Sequence, residues 1–255
     1  MLGEAARAAG YRVTMRDEVA STMEEARRAL GEGDPGRLWI VARSQNAGRG
    51  RHGRQWGSPP GNLYASLLLV APCEPAVAPQ LGFVAGLALH DAVAAVTGLN
   101  APSLALKWPN DLLIDGAKVS GLLLEGESRA GRLSVILGMG VNIASHPSDT
   151  PYPVTHLRAH APAASVERVL AALADSWAKR FAGWQLPGGF GPVREAWLAR
   201  AAWLGQEITL RLPQGPLVGR FRGIDAGGRL ELETGEGLRL IDAGDLFFGA
   251  APPPG

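Results

Sequence analysis

From residue 205 onward the chain loses every helical period. Four short apolar runs, 208–212, 217–224, 229–233 and 238–241, follow one another about ten residues apart, with glycine turns between them. Spacing of that kind fits only a β unit, and its size limits it to a small barrel. Upstream of 205 the texture differs, because apolar strand-like runs are interspersed with long helical stretches. Two textures in one chain predict two domains, 1–204 and 205–249, joined near 203–206 and followed by a mobile tail over 250–255.

The first of these domains reads as a mixed α/β (α+β) sheet with helices. Ser21-Thr22-Met23-Glu24 matches a capping box and opens a helix to about residue 30, closed by Gly31 and Gly33. Strands are expected at 38–42, 62–71, 104–108, 112–114, 119–125 and 133–143, with a turn at Asp115-Gly116. Helices are expected at 77–97, 166–181 and 190–203. With 255 residues, 46% of them apolar, the chain can bury a sizeable core. The most apolar stretch, 81–96, is interrupted by His90 and Asp91, so no membrane partner is expected. The start has no signal-peptide layout. Cys73 stands alone, which excludes an internal disulfide and a multi-cysteine metal centre and makes a cytoplasmic setting the expectation. A net charge of +1 gives no bulk attraction for nucleic acid, so any charge argument must be local.

Four stretches carry local chemistry. Between Pro35 and Cys73 lie five arginines and no acid, and Gly48, Gly50 and Gly53 clear side chains from between Arg49, Arg51 and Arg54. Such a loop lets backbone N–H groups and guanidinium forks converge on one anion, a phosphate or a carboxylate; a solvated basic turn is the plainer reading. Lys107-Trp108-Pro109-Asn110-Asp111 follows, where Pro109 ends a strand and leaves Lys107, Asn110 and Asp111 to face a cleft or to form an ordinary turn. Lys118 opens the next strand, eleven residues after Lys107 and across a hairpin, ahead of Gly121. Only three of the 25 basic residues are lysine, so a persisting lysine either does something arginine cannot or is there by chance. The third, Lys179, sits in a helical run and reads as surface. Last, Gly138-Met139-Gly140-Val141-Asn142 ends an apolar strand, where the glycines admit close approach of a ligand or simply mark a bulge. Neither HExxH nor a Ser-His-Asp arrangement is evident.

In this order, GRGRxGRxW, KWPND, KxxG and GxGxN resemble the biotin protein ligase family, over about residues 14–248. The resemblance implies a class II synthetase-type catalytic domain, an SH3-like C-terminal domain, and biotin activation by ATP and Mg²⁺. The biotinyl group then goes to a lysine of a biotin carboxyl carrier protein of acetyl-CoA carboxylase or of a related biotin-dependent carboxylase. Carried over by position, Ser21, Thr22, Met23, Gln45, Gly48, Arg49, Gly50, Arg51, Lys118 and Gly121 would bind biotin. Ala20 and Met23 stand where the family often has Asp and Asn, so the contact at 23 would be through the backbone. Arg49, Arg51, Arg54, Trp56, Asn110, Lys118 and Asn142 would bind ATP or the adenylate, with Trp56 stacking on adenine. Lys118, Arg51, Lys107 and Asp111 would be catalytic, with Asp111 acting on the acceptor amine or as a Mg²⁺ ligand. Relatives imply a candidate homodimer.

Three rivals are weighed. A lipoate ligase or octanoyltransferase shares the fold, but its histidine-rich acceptor loop is not found. An RNA-binding module would use the arginine loop, against which the net charge counts. Too few residues precede Ser21 to hold a helix-turn-helix, so no DNA partner is expected.

Overall fold

The computed structural model describes residues 2–129, 131–242 and 244–248. The expected tail at 250–255 lies outside them. Chain order begins with α1 (Glu4–Ala8), β1 (Arg12–Val19), α2 (Thr22–Gly31), β2 (Leu38–Gln45) and β3 (Leu63–Val70). It continues through α3 (Gln80–Thr97), β4 (Leu104–Lys107), β5 (Asp111–Ile114), β6 (Ala117–Arg129), β7 (Arg132–Val141), α4 (Val166–Trp184) and α5 (Phe190–Leu198). The final stretch holds β8 (Glu207–Leu212), β9 (Gly215–Ile224), β10 (Leu230–Thr234), β11 (Gly237–Ile241) and β12 (Asp245–Phe248).

Seven strands form one sheet in the order β1-β2-β3-β7-β6-β5-β4. Only the β1–β2 pair is parallel. Strand alternation divides the sheet into two faces. Trp39 and Val41 of β2, Leu67 and Leu69 of β3 and Leu137 and Val141 of β7 point into the main core, which α3, α4 and α5 cover. The alternate residues Leu38, Ile40, Leu68 and Ile136 point the other way, into a smaller core with Met23 and Ala26 of α2. Residues beside those, on the same face but beyond the N-terminus of α2, are Tyr64, Ser66, Gly138 and Gly140. The site is built there.

Several expected helices and strands differ at their ends. Ser21 caps α2 by accepting from the Met23 N–H at 3.3 Å, whereas Glu24 does not close the capping box and instead takes Arg49 Nη2 at 2.9 Å. Helix α5 ends at Leu198, short of 203, because residues 200–202 run beside β4: Leu106 N–H donates to Arg200 O and Ala202 N–H to Leu106 O, both at 2.8 Å. Helix α3 has the length and composition to cross a bilayer, but residues 81 and 83–90 are all buried, His90 among them, between the sheet and α4. Strand β1, helix α1 and strand β12 were not expected.

The small barrel expected after 205 is a five-stranded antiparallel sheet, β11-β10-β9-β8-β12. Its inward residues Phe221, Ile224, Leu230 and Leu232 join the main core, so burial is continuous across the junction. Arg194 of α5 donates to Ile224 O. A Cβ at Gly228 would fall 2.8 Å from the Phe83 ring of α3, which makes the β9–β10 turn a close rest against that helix.

Candidate active site

The hairpin β5–β6 sets the reactive end of the cavity. Asp115 (φ 47°) and Gly116 (φ 80°) form its two-residue turn, the backbone that Asp-Gly favours between antiparallel strands. From that turn β6 pairs Leu113 with Lys118, but Leu112 pairs with Ser120 and Asp111 with Gly121. One residue, Val119, is therefore extra. A regular register from Asp111–Gly121 would set Val119 opposite Leu113 and turn Lys118 to the other face, because a slip of one residue inverts every side chain. The bulge buries Val119 in the main core and puts Lys118 on the face of Asp111. Across β4–β5, Lys107 pairs with Asp111. The carboxylate thus lies between two ammonium groups: Oδ1 is 2.7 Å from Lys118 Nζ and Oδ2 is 3.5 Å from Lys107 Nζ. The turn joining β4 to β5 holds a cis Trp108–Pro109 peptide, and Asn110 there donates to Leu122 O at 2.7 Å.

Lys118 is held further by rings. Its Nζ is 5.5 Å from the Trp56 ring centroid and 5.6 Å from that of Tyr152. The Trp56 indole lies over two glycines, since a Cβ at Gly140 would meet it at 2.6 Å and one at Gly121 at 3.2 Å. The buried Trp56 Nε1 rests against Gly140 and has no hydrogen-bond partner among the described residues. Arg51 Nη1 donates to Asn110 Oδ1 at 3.3 Å and to Gly244 O at 3.2 Å, tying the arginine loop to the C-terminal sheet.

The other end is neutral and rich in hydrogen-bonding groups. Gln45 Oε1 accepts from Thr22 N at 2.8 Å and from Thr22 Oγ1 at 3.2 Å, and Gln45 Nε2 donates to Ser58 Oγ at 2.9 Å. Thr22 Oγ1 also lies 2.8 Å from Ser66 Oγ. Burial pushes the Tyr64 hydroxyl up to about 12, against a smaller lowering by the hydrogen bond to Asn62. It therefore stays protonated there and donates to Pro59 O at 2.7 Å.

One cavity gathers most of the expected residues. Its lining includes Ser21, Thr22, Met23, Gln45, Arg49, Gly50, Arg51, Arg54, Trp56, Lys107, Asn110, Asp111, Lys118 and Gly121. Five cations and one acid in that wall favour an anionic occupant. Two expected residues lie off it. Asn142 is buried, with Nδ2 donating to Thr155 O at 3.1 Å, so its amide braces a loop instead of facing the cavity. Gly48 lies under the loop, where a Cβ would fall 2.6 Å from Trp56 O. Gly138, Met139 and Gly140, from the stretch singled out for close approach of a ligand, also line the cavity, whereas sequence reasoning missed Gln55, Tyr64 and Tyr152 there. Tyr152 had a signal, an aromatic ring between two prolines in the segment after β7.

The fit at Gly140 gives a testable consequence. Gly140→Ala forces the indole to shift, and overpacking of this kind costs about 1–3 kcal/mol. Urea unfolding is expected to show that loss, and Trp56→Ala in the same chain is expected to recover part of it. Additive losses would mean that the two residues do not press on each other.

Comparison with known proteins comes down on one family. A model described as the biotin/lipoate A/B protein ligase family matches residues 19–142, and one for the biotin protein ligase C-terminal domain matches residues 203–249. The chain is 43% identical over 240 residues to the biotin–[acetyl-CoA-carboxylase] ligase of Paracoccus denitrificans, covering 90% of this chain and 97% of that one. It is 32% identical over 247 residues to the bifunctional ligase/repressor BirA of Bacillus spizizenii, covering 94% of this chain and 75% of the relative. The solved structure of biotin protein ligase from Aquifex aeolicus in complex with biotin and ATP superposes with a TM-score of 0.79 at 29% identity, over 92% of this chain and 97% of that chain.

Proposed function

Because the chain belongs to the biotin protein ligase family, we propose that it activates biotin with ATP and passes the biotinyl group to a lysine of a biotin carboxyl carrier protein. The observation that carries this reading is the pairing of a neutral hydrogen-bonding slot at Thr22 and Gln45 with a cationic end at Lys107, Lys118 and the arginine loop. In the first step a carboxylate oxygen bonds to the α-phosphorus, and the bond to the pyrophosphate oxygen breaks. Two anions must meet, so fixed cations lower the barrier and steady the charge that develops. In the second step the acceptor amine attacks the acyl carbon, AMP leaves, and the new amide nitrogen sheds a proton.

Roles follow from position. Ser21, Thr22 and Gln45 present donors and acceptors suited to a cyclic urea, with the Met23 backbone beside them. Lys118 and Arg51 serve the carboxylate and the α-phosphate, and Arg49, Arg54, Trp56 and Asn110 serve the nucleotide. Gly50 and Gly121 keep the walls close. Gly48 and Asn142 act indirectly, on the loop and on the Thr155 segment. Asp111 serves as a positioning residue for both lysines. It suits Mg²⁺ poorly, since both of its oxygens already face ammonium groups, and no group of three metal-ligating side chains occurs among the described residues. Mg²⁺ would then arrive on the phosphates of ATP.

The carrier of acetyl-CoA carboxylase is the favoured acceptor, by the name of the Paracoccus relative. A cytoplasmic setting is supported by the single cysteine. A homodimer is supported by the open edge that β1 leaves on the large sheet.

The test is exchange of labelled pyrophosphate into ATP with biotin, lipoate or octanoate supplied separately. Exchange with biotin alone is the expected result. Exchange with lipoate would keep the anion site and replace the substrate, and no exchange with any acid would overturn the proposal.

A further inference from the structure

Beyond β7 the chain runs over residues 142–156 past Lys118, carrying Tyr152 to the cavity. Asn62 fixes its start, where Oδ1 accepts from the N–H groups of Ile143, Ala144 and Ser145 at 2.8, 2.8 and 3.2 Å. Its return is fixed on β6: Lys118 N–H donates to Pro153 O and Thr155 N–H to Lys118 O, both at 2.9 Å. Two histidines then close the base. His146 Nδ1 and His156 Nδ1 lie 2.8 Å apart, with ring centroids at 4.9 Å and planes inclined by 35°. His146 is exposed and His156 half-buried. Neither lines the cavity, and the ligase reaction gives them no part.

Imidazole nitrogens stand about 2.0–2.1 Å from a divalent transition ion. Two of them in adjacent positions of a tetragonal ion are therefore about 2.9 Å apart, against about 3.3 Å in a tetrahedral one. The observed 2.8 Å, the length of the hydrogen bond that now joins the rings, lies within about 0.1 Å of the tetragonal value. We propose that His146 and His156 form a two-imidazole site for a divalent transition metal of tetragonal preference, of the Cu²⁺ or Ni²⁺ class, with water completing the coordination. The ion takes the place of the proton shared between the rings, and the donor ring carries its proton on Nε2 instead. No net proton is released when both rings start neutral.

His160 is turned to Thr155 Oγ1 at 3.0 Å, which leaves two protein ligands and an exchangeable site. The bound ion would pin the two ends of the segment that carries Tyr152 and pairs with Lys118.

Titration of the full chain with Cu²⁺, followed by electron paramagnetic resonance, tests this. The first equivalent is expected to give a tetragonal spectrum with coupling to two imidazole nitrogens. Either His146→Ala or His156→Ala is expected to weaken Ni²⁺ binding, measured by calorimetry, by about tenfold or more. Binding unchanged in either variant would overturn the proposal, as would a first Cu²⁺ equivalent showing one imidazole. Should His156→Ala unfold the chain, His146→Ala at its exposed position decides the matter alone.

Discussion

Lys118→Ala is expected to lower biotin-dependent pyrophosphate exchange by about 10²–10³-fold, the cost of removing one preorganised contact to charge that develops in a transition state. The group removed is unusually well fixed. Its Nζ has a carboxylate at 2.7 Å and the rings of Trp56 and Tyr152 at 5.5 and 5.6 Å. Its backbone is pinned on both sides, to Leu113 of β5 and to the 153–155 segment. A cation so held needs no reorganisation when the carboxylate and phosphate approach, and the arginines cannot cover the loss. Arg49 and Arg51 reach Glu24, Asn110 and Gly244 O from a glycine-spaced loop. Lys118→Arg is expected to rescue little, because a planar guanidinium fork does not fit where a compact ammonium sits between two rings and Asp111. The loss should fall mainly on kcat, since the contact matters most where charge develops. Activity of the alanine variant within a few fold of the parent, at unchanged urea stability, would remove Lys118 from the reaction.

The placement of that lysine shows where sequence reading stops. The apolar runs of β3 and β7, the Asp-Gly hairpin and the change of texture at 205 were all legible, because each is a local pattern. The family signature likewise marked the arginine loop, Lys107 to Asp111 and Lys118 as one site. The bulge at Val119 was not legible: its register is set by the partner strand, and nothing in the run from Lys118 to Gly121 announces which residue is extra. Strand β1 escaped for another reason. It is an edge strand whose Arg12, Arg16, Asp17 and Glu18 face outward, so it lacks the period of a half-buried strand. Asn142 was placed at the nucleotide by its motif, yet its amide turns to Thr155 O, a direction that depends on a segment thirteen residues away. Tyr152 reaches the cavity only because that same segment pairs with Lys118.

Asp111→Ala is expected to destabilise the protein by about 3–5 kcal/mol, as removal of one partner from a buried ion pair does. The setting is well shielded: the side chains of Lys107, Asp111 and Lys118 are 17%, 10% and 15% exposed. Without the carboxylate, the ammonium groups of Lys107 on β4 and Lys118 on β6, the two strands that flank β5, face each other, with no other acid among the described residues of the cavity wall. Repulsion and the uncompensated desolvation of the ammonium groups then act together, and Lys118 keeps its ring contacts but loses the carboxylate that sets where it meets the substrate. Urea unfolding reads the first effect and pyrophosphate exchange the second. Lys107→Met placed on Asp111→Ala separates them. Taking away the second ammonium is expected to recover about 1–2 kcal/mol of stability, a coupling of the size seen between touching residues, while exchange stays low because Lys118 still lacks its carboxylate contact and the cationic end has lost Lys107 as well. Full recovery of exchange in the double variant would show that Asp111 only offsets charge. Stability losses that simply add would show that the three side chains do not act as one unit.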